Sequence, residues 1–215
     1  MTQAITRTEP DFMEFTRTER TELADLLATL TPPRWDEPSL CAGWSVRDVV
    51  AHMLSRDELD PESMIRRFAR GRFTLDGANA AGVEEYSGYS PPLLLELFRE
   101  RIEPQGLAAA FGGRIAFVET FIHHQDIRRG LGEPREIPTE RVRAALKLGT
   151  AMGPLGATRN MRGLRFDATD VRMVTGTGPE VAGPGEAILM AISGRAQALE
   201  DLSGPGVGVL ASRLR

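Results

Sequence analysis

Apolar and polar residues follow two rhythms along this chain, and the change of rhythm divides it. Up to about residue 158, apolar residues return every three to four positions, the spacing of one helical face. Over residues 11–30, Phe12, Phe15, Leu23, Leu26, Leu27 and Leu30 stand among charges and predict a long amphipathic helix. Pro32-Pro33 stops it, because proline lacks the amide donor and restricts the residue before it. After a connector holding Trp35 and Trp44, Ser45 predicts an N-cap with Asp48 at the capping-box position. Val46, Val49, Val50, Met53 and Leu54 then supply the buried stripe of a second helix. A third is expected from Pro61, with Arg66, Arg67, Arg70 and Arg72 as a solvated face. Residues 76–90, rich in Gly, Ala and Asn, read as a loop. Pro91-Pro92 opens a helix through Leu93, Leu94, Leu95, Leu97, Phe98 and Ile102, and a short Ala-rich piece follows. A helix over Arg114–Leu131 and another from Thr139 to about Met152 complete this part. Their stripes, around Leu26, Val49, Leu94 and Phe121, predict one antiparallel bundle core with a long crossover at 60–90.

Past Gly163 the period shortens to two. Leu164, Phe166 and Ala168 alternate with Arg165, Asp167 and Thr169, and Val171–Thr175 follows as the second arm of a hairpin. A turn-rich stretch leads to an apolar helix over 184–195, and Val207, Val209 and Leu210 suggest a last strand. The fold class expected is mainly α: a helical bundle at 1–158 followed by a small α/β unit at 159–215.

Composition narrows the function classes. A net charge of −4 and a pI near 5.5 argue against nucleic acid as a partner. The N-terminus has no apolar h-region, and no run of about 18 apolar residues occurs, so neither secretion nor a membrane span is expected. One cysteine rules out an internal disulfide framework and fits a reducing, cytoplasmic setting. Cys41 itself precedes a helix N-terminus but reads as an inert, buried thiol.

Candidate chemistry concentrates in FVETFIHHQDIRR, residues 117–129. Glu119 and His123 are four apart, so their Cβ atoms lie roughly 6 Å apart on one helical face. His124 points about 140° away from Glu119 at about 3.6 residues per turn, so His123 is the candidate ligand and His124 is not. His52, on the second helix, supplies a third donor if the helices pack. Two His and one Glu leave an open position on a zinc ion, the pattern of a catalytic site; a structural zinc takes four ligands, usually with cysteines. Asp48 and Asp126, spaced four and three residues from His52 and His123, fit either as partners of the ring N–H groups or as plain helix-surface ion pairs.

These residues also carry a family resemblance. PSLCAGWSVRDVVAHM followed by VETFIHHQDIRRGLG resembles the N-terminal domain of the mycothiol-dependent maleylpyruvate isomerase family, within the DinB-like metal-binding superfamily. The tail, from LRFDATDVRMVTGTG through GPGEAILMAISGR, is similar to the small sterol-carrier-like α/β domain that accompanies it. The resemblance implies a DinB-like four-helix bundle with a divalent metal, zinc first and nickel as the alternative, on His52, Glu119 and His123. It also implies a small-molecule thiol, mycothiol, and an arginine of the second unit reaching the site. Arg195 is the match for that arginine; a cation neutralising the end of its helix is the competing reading. The function expected is a metal-dependent thiol-using isomerase or S-transferase. The alternatives are a metal-dependent hydrolase and a metal- or ligand-binding protein without chemistry.

Overall fold

The computed structural model describes residues 10–106, 109–151 and 157–214. Helix α1 (Phe12–Thr29) begins at Asp11, whose side chain accepts the Glu14 N–H, and buries Leu23, Ala24 and Leu27. A 3-10 turn, Pro32–Asp36, follows the proline pair and buries Trp35. Helix α2 (Val46–Asp57) opens with a reciprocal Ser45–Asp48 capping box. Then come α3 (Pro61–Arg70), α4 (Leu75–Glu84), α5 (Pro91–Glu100), α6 (Arg114–Leu131), α7 (Thr139–Ala151) and the short α8 (Ala157–Met161). The expected end of α7 at Met152, and part of the Ala-rich piece before α6, lie outside the described residues.

Helix α1 packs on α6 and α5, and α2 packs on the same two, so these four close a ring. This is the four-helix bundle, and α3–α4 is the crossover between its second and third members. Helix α4 occupies much of the stretch expected to be a loop. The Thr74 side chain caps it by accepting the Gly77 N–H, and Ala78, Ala81 and Gly82 are buried. Its buried face is made of small residues, which allow close backbone approach: a Cβ on Gly77 would stand 2.1 Å from the Gly71 carbonyl oxygen. Composition that looks like a loop is here a close-packed helix pair. Arg67, expected on a solvated face, is 4% exposed and donates to Glu85 and to the Ser55 carbonyl.

The C-terminal unit holds β1 (Arg165–Ala168), β2 (Met173–Gly176) and β3 (Glu180–Gly183) in the order β2-β1-β3. The hairpin is β1 against β2; β3 joins the other edge of β1 in parallel. A short link carries the chain across the end of β1, close over Gly163 and Leu164. Gly176 and Gly178 take φ of 77° and 128° there, and a Cβ on either would lie 2.2 Å from a backbone oxygen. Sequence reading placed only turns at 176–183, and β3 is the strand it missed. Helix α9 (Gly185–Ile192) covers the sheet and is buried at every position but Glu186. The final segment, expected as a strand, is α10 (Val207–Arg213). Val207, Leu210 and Leu214 recur at helical spacing against the core, while Val209 is exposed.

Two cores result. One joins α1, α2 and α5 through Leu23, Leu27, Val49, Val50, Leu54, Leu94 and Phe98. The other joins α6 and α7 to the sheet and α9 through Phe117, Phe121, Leu146, Phe166, Ile188 and Leu189. Phe121 thus belongs to the second core and not, as expected, with Leu26, Val49 and Leu94. Helix α6 serves both, since Ile127 lies in the first. The molecule is mainly helical with a small C-terminal three-stranded sheet, and none of its described helices is long and apolar enough to cross a membrane.

Candidate functional site

Where α2, α6 and the turn after α9 meet, a cleft of about 810 Å³ opens. Its walls carry His52, Arg56, Glu119, His123 and Arg195, with Cys41 and Trp44 from the connector before α2 and Asp76 and Asn79 from α4. The first five of these are here because two helix faces and a turn converge. Glu119 and His123 share a face of α6, His52 and Arg56 share one of α2, and Gly194 turns the chain after α9. At φ 100° Gly194 adopts a conformation that side-chain-bearing residues avoid, and the Arg195 N–H closes the helix end on the Met190 carbonyl.

The two imidazoles face each other with ring centroids 5.0 Å apart, nearly perpendicular. Trp44 lies 5.0 Å from His52 on another side. His52 is buried and its Nδ1 has no hydrogen-bond partner. Burial, then the neighbouring His123, pushes its pKa well below the ordinary histidine value, so the ring is neutral. His123 differs. Burial works against its charge, but hydrogen bonds to Asp126 and Cys41 outweigh it and raise the pKa to about 9. Its Nδ1 is 3.0 Å from Asp126 Oδ2, which leaves Nε2 as the ring's second donor position.

Asp126 is the hub beneath the cleft. Arg195 Nε and Nη2 donate to its two oxygens at 2.8 and 2.6 Å, and the Cys41 thiol donates at 3.0 Å. Burial tends to raise the Asp126 pKa, and Arg195 with His123 overrides it and holds the carboxylate ionised. Arg195 also donates to the Ser193 carbonyl at 2.7 Å. Cys41, read from sequence as inert, is half-buried at this hub, 3.8 Å from His123 Nδ1.

Asp48, expected beside the His52 ring, is engaged elsewhere. Its carboxylate accepts from Ser45 N–H at 2.9 Å and Ser45 Oγ at 2.7 Å, completing the capping box, and does not reach His52. His124 points away, as its helical position requires: its Nδ1 donates to Glu19 at 2.9 Å and its Nε2 accepts from Arg128 at 2.8 Å.

Glu119 Oε1 accepts from Arg56 Nη2 at 2.9 Å. Among the described residues, two sets of three have ligand atoms mutually within 4.8 Å: Cys41–His123–Asp126 and Glu19–Glu22–His124. Neither includes His52 or Glu119. The second set is already neutralised by Arg135 and Arg141. His52, Glu119 and His123 nevertheless fit a divalent metal by donor chemistry. One imidazole is neutral with a buried unpartnered nitrogen, the other has its Nδ1 held by a carboxylate, the usual support of a metal-bound histidine, and a carboxylate lines the same cleft. Closing the set requires the Glu119 carboxylate, now bonded to Arg56 through Oε1, to shift toward the imidazoles. Sequence reading missed Arg56, although its position four residues after His52 on the same helix was signal enough.

Fold and cleft together define a class: a four-helix bundle whose His/His/Glu cleft is bordered by a small α/β unit. Residues 16–105 match the family model described as the mycothiol maleylpyruvate isomerase N-terminal domain. A solved structure of the mycothiol-dependent maleylpyruvate isomerase superposes with a TM-score of 0.57 at 11% identity, covering 90% of this chain and 91% of that one. A histidine-to-alanine mutant of that isomerase gives 0.58 at 12% identity with the same coverage. At such identities the likeness is one of fold. No curated protein matches the chain. The family-model match over residues 16–105 and the shared fold bear out the resemblance read from the sequence.

Proposed function

We propose that the protein is a metal-dependent enzyme that uses a low-molecular-weight thiol, mycothiol by family, to isomerise or S-alkylate a small electrophile in the cytoplasm. Residues 1–158 are the metal-binding unit and 159–215 the unit that brings Arg195 to it. His52, Glu119 and His123 would hold the metal, zinc ahead of nickel. The observation that carries this reading is the pair of unlike imidazoles: a neutral His52 with an orphaned buried nitrogen, 5.0 Å from a His123 oriented by Asp126.

A divalent ion there supplies the Lewis acidity that keeps a thiol deprotonated at neutral pH. The chain's own residues do the rest. Asp126 fixes the His123 ring and directs Nε2 to the cleft. Trp44 and the surrounding apolar residues limit water around His52. Arg195, anchored on Asp126, places a permanent cation at the rim, where a carboxylate of the thiol or of its acceptor finds complementary charge. The cleft volume, about 810 Å³, falls in the range of small-molecule sites and accommodates a thiol with a polar body.

Titrating mycothiol into cobalt-substituted protein is expected to produce a thiolate-to-cobalt charge-transfer band. Absence of the band at saturating thiol, together with turnover of an ester or amide, would replace this reading with a hydrolase.

A further inference from the structure

Helices α2 and α6 run antiparallel across the cleft, and their facing residues form two levels. At one level His52 meets His123; one turn away, Arg56 meets Glu119. Glu119 therefore has two alternatives within reach of one side chain: the guanidinium opposite, which it now holds, and the imidazole level four residues along its own helix.

Arg56 stands apart from the other arginines around the cleft. Arg195 is committed to both Asp126 oxygens and a carbonyl. Arg20, beneath the same helices, is committed to both Asp57 oxygens and the Arg101 carbonyl. Among the described residues, Glu119 is the sole ion-pair partner of Arg56, through a single hydrogen bond. A guanidinium has five N–H donors in a planar fork matched to a carboxylate. Arg56 lines the cleft with 27% of its side chain exposed, and it is masked by one movable carboxylate.

We propose that Arg56 is a second carboxylate-recognising residue of the cleft beside Arg195, masked by Glu119 in the metal-free protein and unmasked when Glu119 turns to the imidazoles. The ligand class is a small carboxylic acid or a thiol bearing a carboxylate. This rests on the metal reading above for its trigger, but the recognition itself is a property of Arg56. Because metal and carboxylate compete with the same ion pair, each favours the other, and the coupling is reciprocal.

The test separates the two layers. Isothermal titration of succinate into metal-free protein is expected to show weak binding to the wild type and about fivefold tighter binding to Glu119→Gln, the scale set by losing one partly exposed ion pair. The gain should vanish in the Arg56→Gln/Glu119→Gln double variant. If Glu119→Gln binds no tighter, or the double variant keeps the gain, Arg56 is not the receptor. Loading the wild type with zinc should give a similar gain, absent in Arg56→Gln. Zinc that binds without producing the gain overturns the unmasking. Zinc that fails to bind at all overturns the metal reading and its trigger, while the metal-free comparison still decides the role of Arg56.

Discussion

His123 and His124 are neighbours on one helix, and their surroundings differ in one decisive respect. His124 is fully buried in a network where every polar atom is matched: Glu19 on Nδ1, Arg128 on Nε2, and Arg135 and Arg141 closing on Glu19. His123 faces a cleft where His52 Nδ1 is orphaned and Glu119 is held by a single bond. A satisfied buried network specifies a structure, because each group left without its partner would cost its full desolvation. An incompletely satisfied cluster at a cleft leaves capacity for a ligand. Two histidines separated by one peptide bond thus do different work.

The largest effect is expected from breaking the satisfied side. Glu19→Ala would leave Arg135, Arg141 and His124 without their shared acceptor, and urea denaturation should show a loss of about 3–5 kcal/mol. Zinc uptake by the folded fraction should not change.

Arg195→Ala tests the other side. It strands the buried Asp126 carboxylate with fewer partners, at a cost of about 3 kcal/mol in the same denaturation experiment. Metal uptake should persist and thiol binding weaken. Loss of stability alone, with unchanged thiol affinity, would reduce Arg195 to a support for Asp126.

A smaller, pH-dependent effect distinguishes the network further. Burial opposes ionisation of Glu19, yet the bonds from His124 and Arg135 lower its pKa from 4.5 to about 2. The unfolded chain then binds the extra proton between those values, so stability rises with pH across that window. The contribution is complete above about pH 4.5 and lost as pH falls through 2, amounting to about 3 kcal/mol. Thermal melts from pH 5 to 2 should show this slope in the wild type and a shallower one in Glu19→Gln.

How much of this was written locally in the chain follows from the range of each interaction. The bounds of α6 and the Ser45–Asp48 capping box were readable because period and cap lie within a few residues. The separation of His123 from His124 was readable from the helical angle alone. The Glu19 network was not, because its arginines lie more than 110 residues away and nothing near Glu19 announces them. Helix α4 was hidden by its Gly/Ala face, which signals a loop until a partner helix supplies the close approach. Strand β3 and helix α10 were missed because a four-residue strand and a seven-residue helix are too short to establish a period, and Val207 and Val209 alternate as in a strand. Asp48 was spaced correctly for His52, but the local cap claimed its carboxylate first.

The most direct measurement is metal content by elemental analysis after zinc loading and desalting, compared among wild type, His123→Ala and His124→Ala. One zinc per chain is expected in the wild type and in the folded fraction of His124→Ala, and none in His123→Ala. Zinc retained by His123→Ala but lost from folded His124→Ala would contradict it.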